Sequence, residues 1–268
     1  GMHCELQLSG GAVVDGSGAR GVRADVAIAG GRITALGDLS ALESARTIDC
    51  SGRVVTPGFI DIHSHADWLL PDADHGHLVE PFVRQGMTTL VAGNCGFSPA
   101  PISARSRDTA RGASRLLHDG SLDPDFATVG SFLDALERGG VALNIAQLVG
   151  HGTVRAAVTG ALEPAAPTRD ELAAMERLVE EALDAGCAGV STGLGYAPGI
   201  CAGEEELTAF AKMAARRGRL FTSHLKAYSW ASGVYSHDPK EDPHNLAAIR
   251  EILRVARAAD VRLQISHL

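Results

Sequence analysis

Thr56-Pro57-Gly58-Phe59-Ile60-Asp61-Ile62-His63-Ser64-His65 is the stretch whose interpretation decides the fold. A Pro-Gly turn signal opens it, apolar residues fill its middle, and two histidines spaced i, i+2 close it. On an extended strand such residues project to one face, so both imidazoles are expected to reach one ion. Two neutral nitrogen ligands at the carboxyl end of a buried strand are what an open metal site requires.

Downstream of this segment, apolar strands alternate with helical stretches, a pattern of parallel βα units. The further strands are expected at residues 88–96, 143–151, 189–194, 219–224 and 261–267. One intervening helix starts at Thr168, which forms a Thr-x-x-Glu capping box with Glu171 and precedes a stripe of Leu172, Met175, Leu178, Val179, Ala182 and Leu183. Gly186 ends it. A later helix carries Leu246, Ile249, Ile252, Leu253 and Ala256. The expected fold is α/β, a (β/α)8 TIM-type barrel with its chemistry at the carboxyl ends of the strands. About six of its strands are present, over residues 56–268. An open six-stranded sheet would leave apolar edges exposed, so two more βα units are expected beyond Leu268.

Upstream, residues 1–55 are expected to be β structure with too little apolar surface to stand alone. Short strands are expected at 6–8, 11–15, 25–29 and 32–36, the last two joined by Gly30-Gly31 as a primed hairpin turn. Residues 47–50 and 53–55 are expected to form a further pair. Gly1-Met2 has the form of a cleavage scar ahead of an initiator.

A chain of 268 residues, 45% hydrophobic and with net charge −8, has enough apolar material for a sizeable core and no basic run to track phosphates. Nucleic acid is therefore not an expected partner, and no apolar stretch approaches a membrane span. Five cysteines give an odd count without a disulfide framework, which suits a reducing cytoplasm.

The strand ends supply His63, His65, Cys95, His151, His224 and His267. A thiolate among neutral imidazoles is a zinc-type donor set, less suited to iron or manganese. His75, His77, His118, His237 and His244 lie in polar, loop-like stretches and are expected to be solvated, and Cys4, Cys50, Cys187 and Cys201 to be plain thiols.

The 56–65 segment resembles the first barrel strand of the amidohydrolase superfamily, matching at Pro57, Gly58, Phe59, Asp61, His63 and His65. With Asn94-Cys95-Gly96, Gly193-Leu194-Gly195-Tyr196-Ala197-Pro198-Gly199 and Ile265-Ser266-His267-Leu268, the chain resembles the D-aminoacylase (N-acyl-D-amino-acid deacylase) branch. The resemblance implies that residues 1–55 are the N-terminal part of a small β-sandwich, and that the protein is a zinc-dependent hydrolase that cleaves the amide bond of N-acyl-D-amino acids. It implies one tight zinc on Cys95, His224 and His267, a second and weaker site facing His63 and His65, and a substrate contact from Tyr196. The family's arginine after the strand-five histidine is replaced by Leu225-Lys226-Ala227-Tyr228, where Lys226 is expected to bind substrate as a cation without a bidentate fork. Its lysine after Ser-His-Leu would fall at position 269, and its proton-shuttling aspartate, from strand eight, is expected beyond Leu268. The catalytic acid is thus unassigned; Asp61 and Asp67 are the acids beside the histidine pair. Alternatives are a dihydroorotase- or hydantoinase-like cyclic-amide hydrolase, against which strand four holds no lysine, or an inactive metal- or partner-binding module.

Overall fold

Gly30 and Gly31, with φ of 57° and 69°, turn the chain between two antiparallel strands as the doubled glycine predicts. The computed structural model describes residues 3–117, 123, 125–160, 165–236, 238 and 240–268; Gly1, Met2, His118 and His237 lie outside the described residues. The chain divides into two units, Gly1–Phe59 and Ile60–Leu268.

The first unit holds β1 (His3–Val13), β2 (Val22–Ala29), β3 (Arg32–Gly37), β4 (Glu43–Asp49) and β5 (Val54–Val55), ordered β3-β2-β1-β4 with β5 also on β1. β1 is one strand where two were expected, because a register shift between Leu8 and Gly11 absorbs the interruption around Gly10 (φ 72°). β4 and β5 do not pair with each other; each runs parallel to β1. The turn between them explains this: Arg53 N–H donates to Cys50 O at 2.9 Å and Cys50 N–H to Ser9 O at 2.8 Å. The chain is thus kept running along β1 instead of doubling back.

The second unit alternates strand and helix: β6 (Phe59–Asp61, starting on the last residue of the first unit), α1 (His75–Arg84), β7 (Met87–Ala92), α2 (Arg107–Leu117), α3 (Val129–Gly139), β8 (Asn144–Gly150), α4 (His151–Thr159), α5 (Arg169–Asp184), β9 (Gly189–Gly193), α6 (Glu204–Arg216), β10 (Leu220–His224), α7 (His244–Ala259) and β11 (Arg262–Ile265). The six strands lie in sequential order, with parallel registers from β7 to β11. This is the arrangement of the first six units of a (β/α)8 barrel. Leu90, Val149, Val190 and Phe221 from the strands meet Met175, Val179, Phe210 and Ile252 from the helices in one buried cluster.

Thr168 caps α5 as expected: its hydroxyl accepts from Glu171 N–H at 3.2 Å while Glu171 Oε2 accepts from Thr168 N–H at 2.8 Å. Thr168→Ala is expected to lower stability by about 1 kcal/mol, readable in a denaturant titration. Two histidines expected in solvated loops are instead buried at helix starts. His75 opens α1 with Nδ1 against Asp72 O at 2.7 Å, and His244 opens α7 with Nδ1 accepting from Ser232 N–H at 2.7 Å. Each imidazole bonds to backbone outside its own helix, at Asp72 and at Ser232, which composition alone does not reveal.

Candidate metal centre

β6 ends at Asp61, so His63 and His65 stand beyond the strand rather than on it. The shared-face argument therefore does not place them. An Asx turn does: His63 N–H donates to Asp61 Oδ1 at 3.0 Å, and Ser64 N–H then reaches Val91 O on β7 at 3.0 Å. The two imidazole centroids end 5.5 Å apart.

Cys95 follows β7 in a left-handed backbone (φ 59°) between Gly93 and Gly96, and His267 follows β11 in another (φ 65°). Such conformations in non-glycine residues persist only where the surroundings enforce them. Cys95 Sγ lies 3.3 Å from His63 Nε2 and 3.3 Å from His267 Nε2, and the three donor atoms fall within 4.8 Å of one another. His224, the last residue of β10, packs at 4.8 Å between centroids against His267. The closest trio is thus His63, Cys95 and His267, with His224 and His65 flanking it, rather than Cys95, His224 and His267 alone.

No acid belongs to the trio, and its electrostatics favour neutral donors. Burial, with the neighbouring His267 and His65, pushes the His63 imidazole down to about 4. Burial, then His267, His63 and His65, also takes His224 down to about 4. Burial, then His267, also lowers His65. Both imidazoles are neutral at pH 7 and can ligate without first losing a proton. In the unfolded chain they take protons near 6.5, whereas folded they wait until about 4. The unfolded state therefore binds more protons between these values. Stability of the metal-free protein is expected to be full above pH 6.5 and to decline as pH falls toward 4, as urea midpoints across that window would show. Burial pushes the Cys95 thiol up to about 11. Metal must then displace its proton. Zinc affinity is expected to rise roughly tenfold per pH unit from about 7 upward, with about one proton released on binding, measurable by calorimetry in two buffers.

Tyr196 lies over this cluster, its ring stacked on Phe97 at 5.2 Å and edge-on to His224 at 4.9 Å. Its hydroxyl donates to Cys95 O at 2.8 Å. A phenol has one proton to give, so in this arrangement the group is a clamp on the Cys95 turn rather than a free donor to substrate. Gly193 makes that clamp fit, since a Cβ there would lie 2.5 Å from the Tyr196 hydroxyl and collide with Cys95 O. A cavity of about 440 Å³ opens at the cluster, lined by His65, Cys95, Phe97, Tyr196, His224 and His267 and walled by Leu116 and Leu117 of α2.

Other expected participants are placed elsewhere. Lys226 does not line the cavity; its ammonium pairs with Glu251 of α7. His151 is fully buried and hydrogen-bonds Glu206 Oε1 at 2.7 Å, while Arg155 holds the same carboxylate. Asp67 is also fully buried, accepts from Gln147 Nε2 at 2.9 Å, and is pushed by burial up to about 7. Sequence reasoning missed the Phe97 and α2 wall, and it missed Tyr228. The wall's only signal was the apolar Leu116-Leu117 end of a polar helix.

A model of the Amidohydrolase family matches residues 46–268. The N-acyl-D-glutamate deacylase of Alcaligenes xylosoxydans xylosoxydans is 40% identical over 264 residues, 98% of this chain and 49% of that protein. Among solved structures, a D-aminoacylase superposes with a TM-score of 0.85 at 38% identity, covering 98% of this chain and 51% of the other. The N-acyl-D-glutamate deacylase of Bordetella bronchiseptica, solved with zinc and a phosphonate inhibitor, superposes at 0.81 with 36% identity over 97% of this chain and 50% of that one. An L-hydantoinase from Arthrobacter aurescens, 19% identical with a TM-score of 0.60 over 99% of this chain and 53% of that one, shares the fold alone. The chain spans about half the length of the curated relatives it matches. It belongs to the amidohydrolase family.

Proposed function

We propose that this protein is a zinc-dependent hydrolase that cleaves the amide bond of N-acyl-D-amino acids, releasing a D-amino acid and a carboxylate. The observation that carries the proposal is the convergence of Cys95, His63 and His267, with His224 beside them, from the carboxyl ends of β6, β7, β10 and β11, the first two and last two strands of the sheet. The donor set fits the ion. One soft sulfur with imidazole nitrogens 3.3 Å from it suits zinc, and the buried Nδ1 atoms of half-buried His65 and His224 have no hydrogen-bond partner. Five donors exceed the four of one tetrahedral zinc, which supports one tight ion and a second, weaker one toward His65. Zinc, when bound, polarises a carbonyl and makes water a nucleophile near neutral pH.

The chain's own groups do the rest of the positioning. Tyr196 and Phe97 form one wall against which a flat acyl amide can lie, and Leu116 with Leu117 forms a second, excluding water from the reacting bond. Gly195 keeps space open at His224, whose Nε2 would lie 3.4 Å from a Cβ there. Among the described residues none lining the cavity is a carboxylate, and Asp67 is committed to Gln147, so proton transfer is not assigned to Asp67. A cytoplasmic setting is part of the proposal, supported by five cysteines that are all free, because Cys95 acts as a ligand only while reduced. No helix of the described residues is long and apolar enough to cross a membrane.

The test is hydrolysis of N-acetyl-D- and N-acetyl-L-amino acids by the purified protein, before chelation, after it, and after zinc is restored. Cleavage confined to the D series and restored by zinc supports the proposal. Absence of cleavage in the zinc-loaded protein, or equal cleavage of both series, refutes it.

A further inference from the structure

Of the two strained ligand turns, the one at Cys95 is held by the Tyr196 hydroxyl, as described above. The turn at His267 has a counterpart in Tyr228. The Tyr228 hydroxyl donates to Ser266 O at 2.9 Å and accepts from Leu225 N–H at 2.7 Å. Ser266 immediately precedes His267, and Leu225 immediately follows His224. One hydroxyl, with both its donor and an acceptor position used, therefore bridges the backbones beside two histidines of the centre. Its ring also lies edge-on to both imidazoles, 5.0 Å from His224 and 5.8 Å from His267 between centroids.

The segment that carries this tyrosine is itself fixed. Leu225 and Ala227 are buried, and Lys226 between them pairs with Glu251 of α7. The other oxygen of Glu251 accepts from the Tyr235 hydroxyl at 2.9 Å. The last β10–β11 backbone bond, Ser266 N–H to Ser223 O at 2.9 Å, lies just before the His267 turn. Beyond it the chain needs a further restraint to keep His267 at φ 65°, and the Tyr228 hydroxyl is placed to supply one.

We propose that Tyr228 is a positioning residue of the metal centre, fixing the separation and aim of His224 and His267 by bridging their backbones. The inference rests on the metal-centre reading given above. Without the hydroxyl, Leu225 N–H and Ser266 O each lose a partner, and the His267 turn can relax away from its left-handed backbone, carrying Nε2 off Cys95 Sγ.

Tyr228→Phe tests this, because it keeps the ring against both histidines and removes one oxygen. Zinc affinity is measured by competition with a chromophoric chelator, and ligand geometry by the visible spectrum of the cobalt-substituted protein. The expected result is zinc binding about 10- to 100-fold weaker with an altered cobalt spectrum. Thr168→Ala serves as the control, losing stability while keeping wild-type affinity and spectrum. If Tyr228→Phe shifts only the melting temperature, with zinc affinity and cobalt spectrum unchanged, the residue is merely structural and the inference is overturned. If the wild-type protein itself binds neither metal, the metal-centre reading fails first and the inference with it, so the two failures are distinguishable.

Discussion

Cys95→Ala is expected to weaken zinc binding by roughly two to three orders of magnitude and to abolish zinc-dependent amide hydrolysis while leaving the fold intact. Structural zinc sites gain about 10–16 kcal/mol, so one of about four ligands carries roughly 3 kcal/mol or more. Cys95 sits at the middle of the trio, 3.3 Å from both His63 and His267, and is the one soft donor near the ion. Its side chain is small, and with the thiol pushed up to about 11 the metal-free site contains no buried thiolate whose loss would cost stability. Metal titration followed by the chelator assay, with circular dichroism on the same samples, checks both halves. Wild-type zinc affinity in the variant would remove Cys95 from the ligand set.

The second large effect is expected at Gly193, which holds no chemistry at all. A Cβ there meets Cys95 O closer than any real contact, lies 2.5 Å from the Tyr196 hydroxyl, and has no flexible side-chain tip to push aside at the carbonyl. Overpacking ordinarily costs about 1–3 kcal/mol, and a clash with backbone belongs at or above the upper end. Gly193→Ala is therefore expected to lower stability by about 3 kcal/mol, to break the bond from Tyr196 to Cys95 O, and to weaken zinc binding with it. Urea unfolding and zinc titration of the variant measure the two consequences, and normal values for both would show that the end of β9 yields more easily than its packing indicates.

These expectations rest on features of unequal visibility in the sequence. The Thr168-Glu171 box and the Gly30-Gly31 hairpin were legible because each is decided within a few residues by hydrogen bonds to its own backbone. The alternation of strand and helix was legible for the same reason, since apolar period is local. Pairing of β4 and β5 with β1 was not, because a parallel partner is chosen over long separation by a turn such as that at Cys50 and Arg53. At the site, residue types and spacing named His63, His65, Cys95, His224 and His267, yet the reason given for the first pair, a shared strand face, was not the one the structure uses. The sequence offers Lys226 as a substrate-binding cation because Glu251, 25 positions away, is invisible as its partner. Tyr228 carried no signal, since its importance lies in two backbone atoms from different strands.

The account's central claim is that Cys95 and the strand-end histidines hold zinc together. X-ray absorption at the zinc edge on the purified, zinc-loaded protein tests it most directly. The prediction is one sulfur at about 2.3 Å with nitrogen or oxygen ligands at about 2.0–2.1 Å. A zinc environment with no sulfur shell would contradict the account.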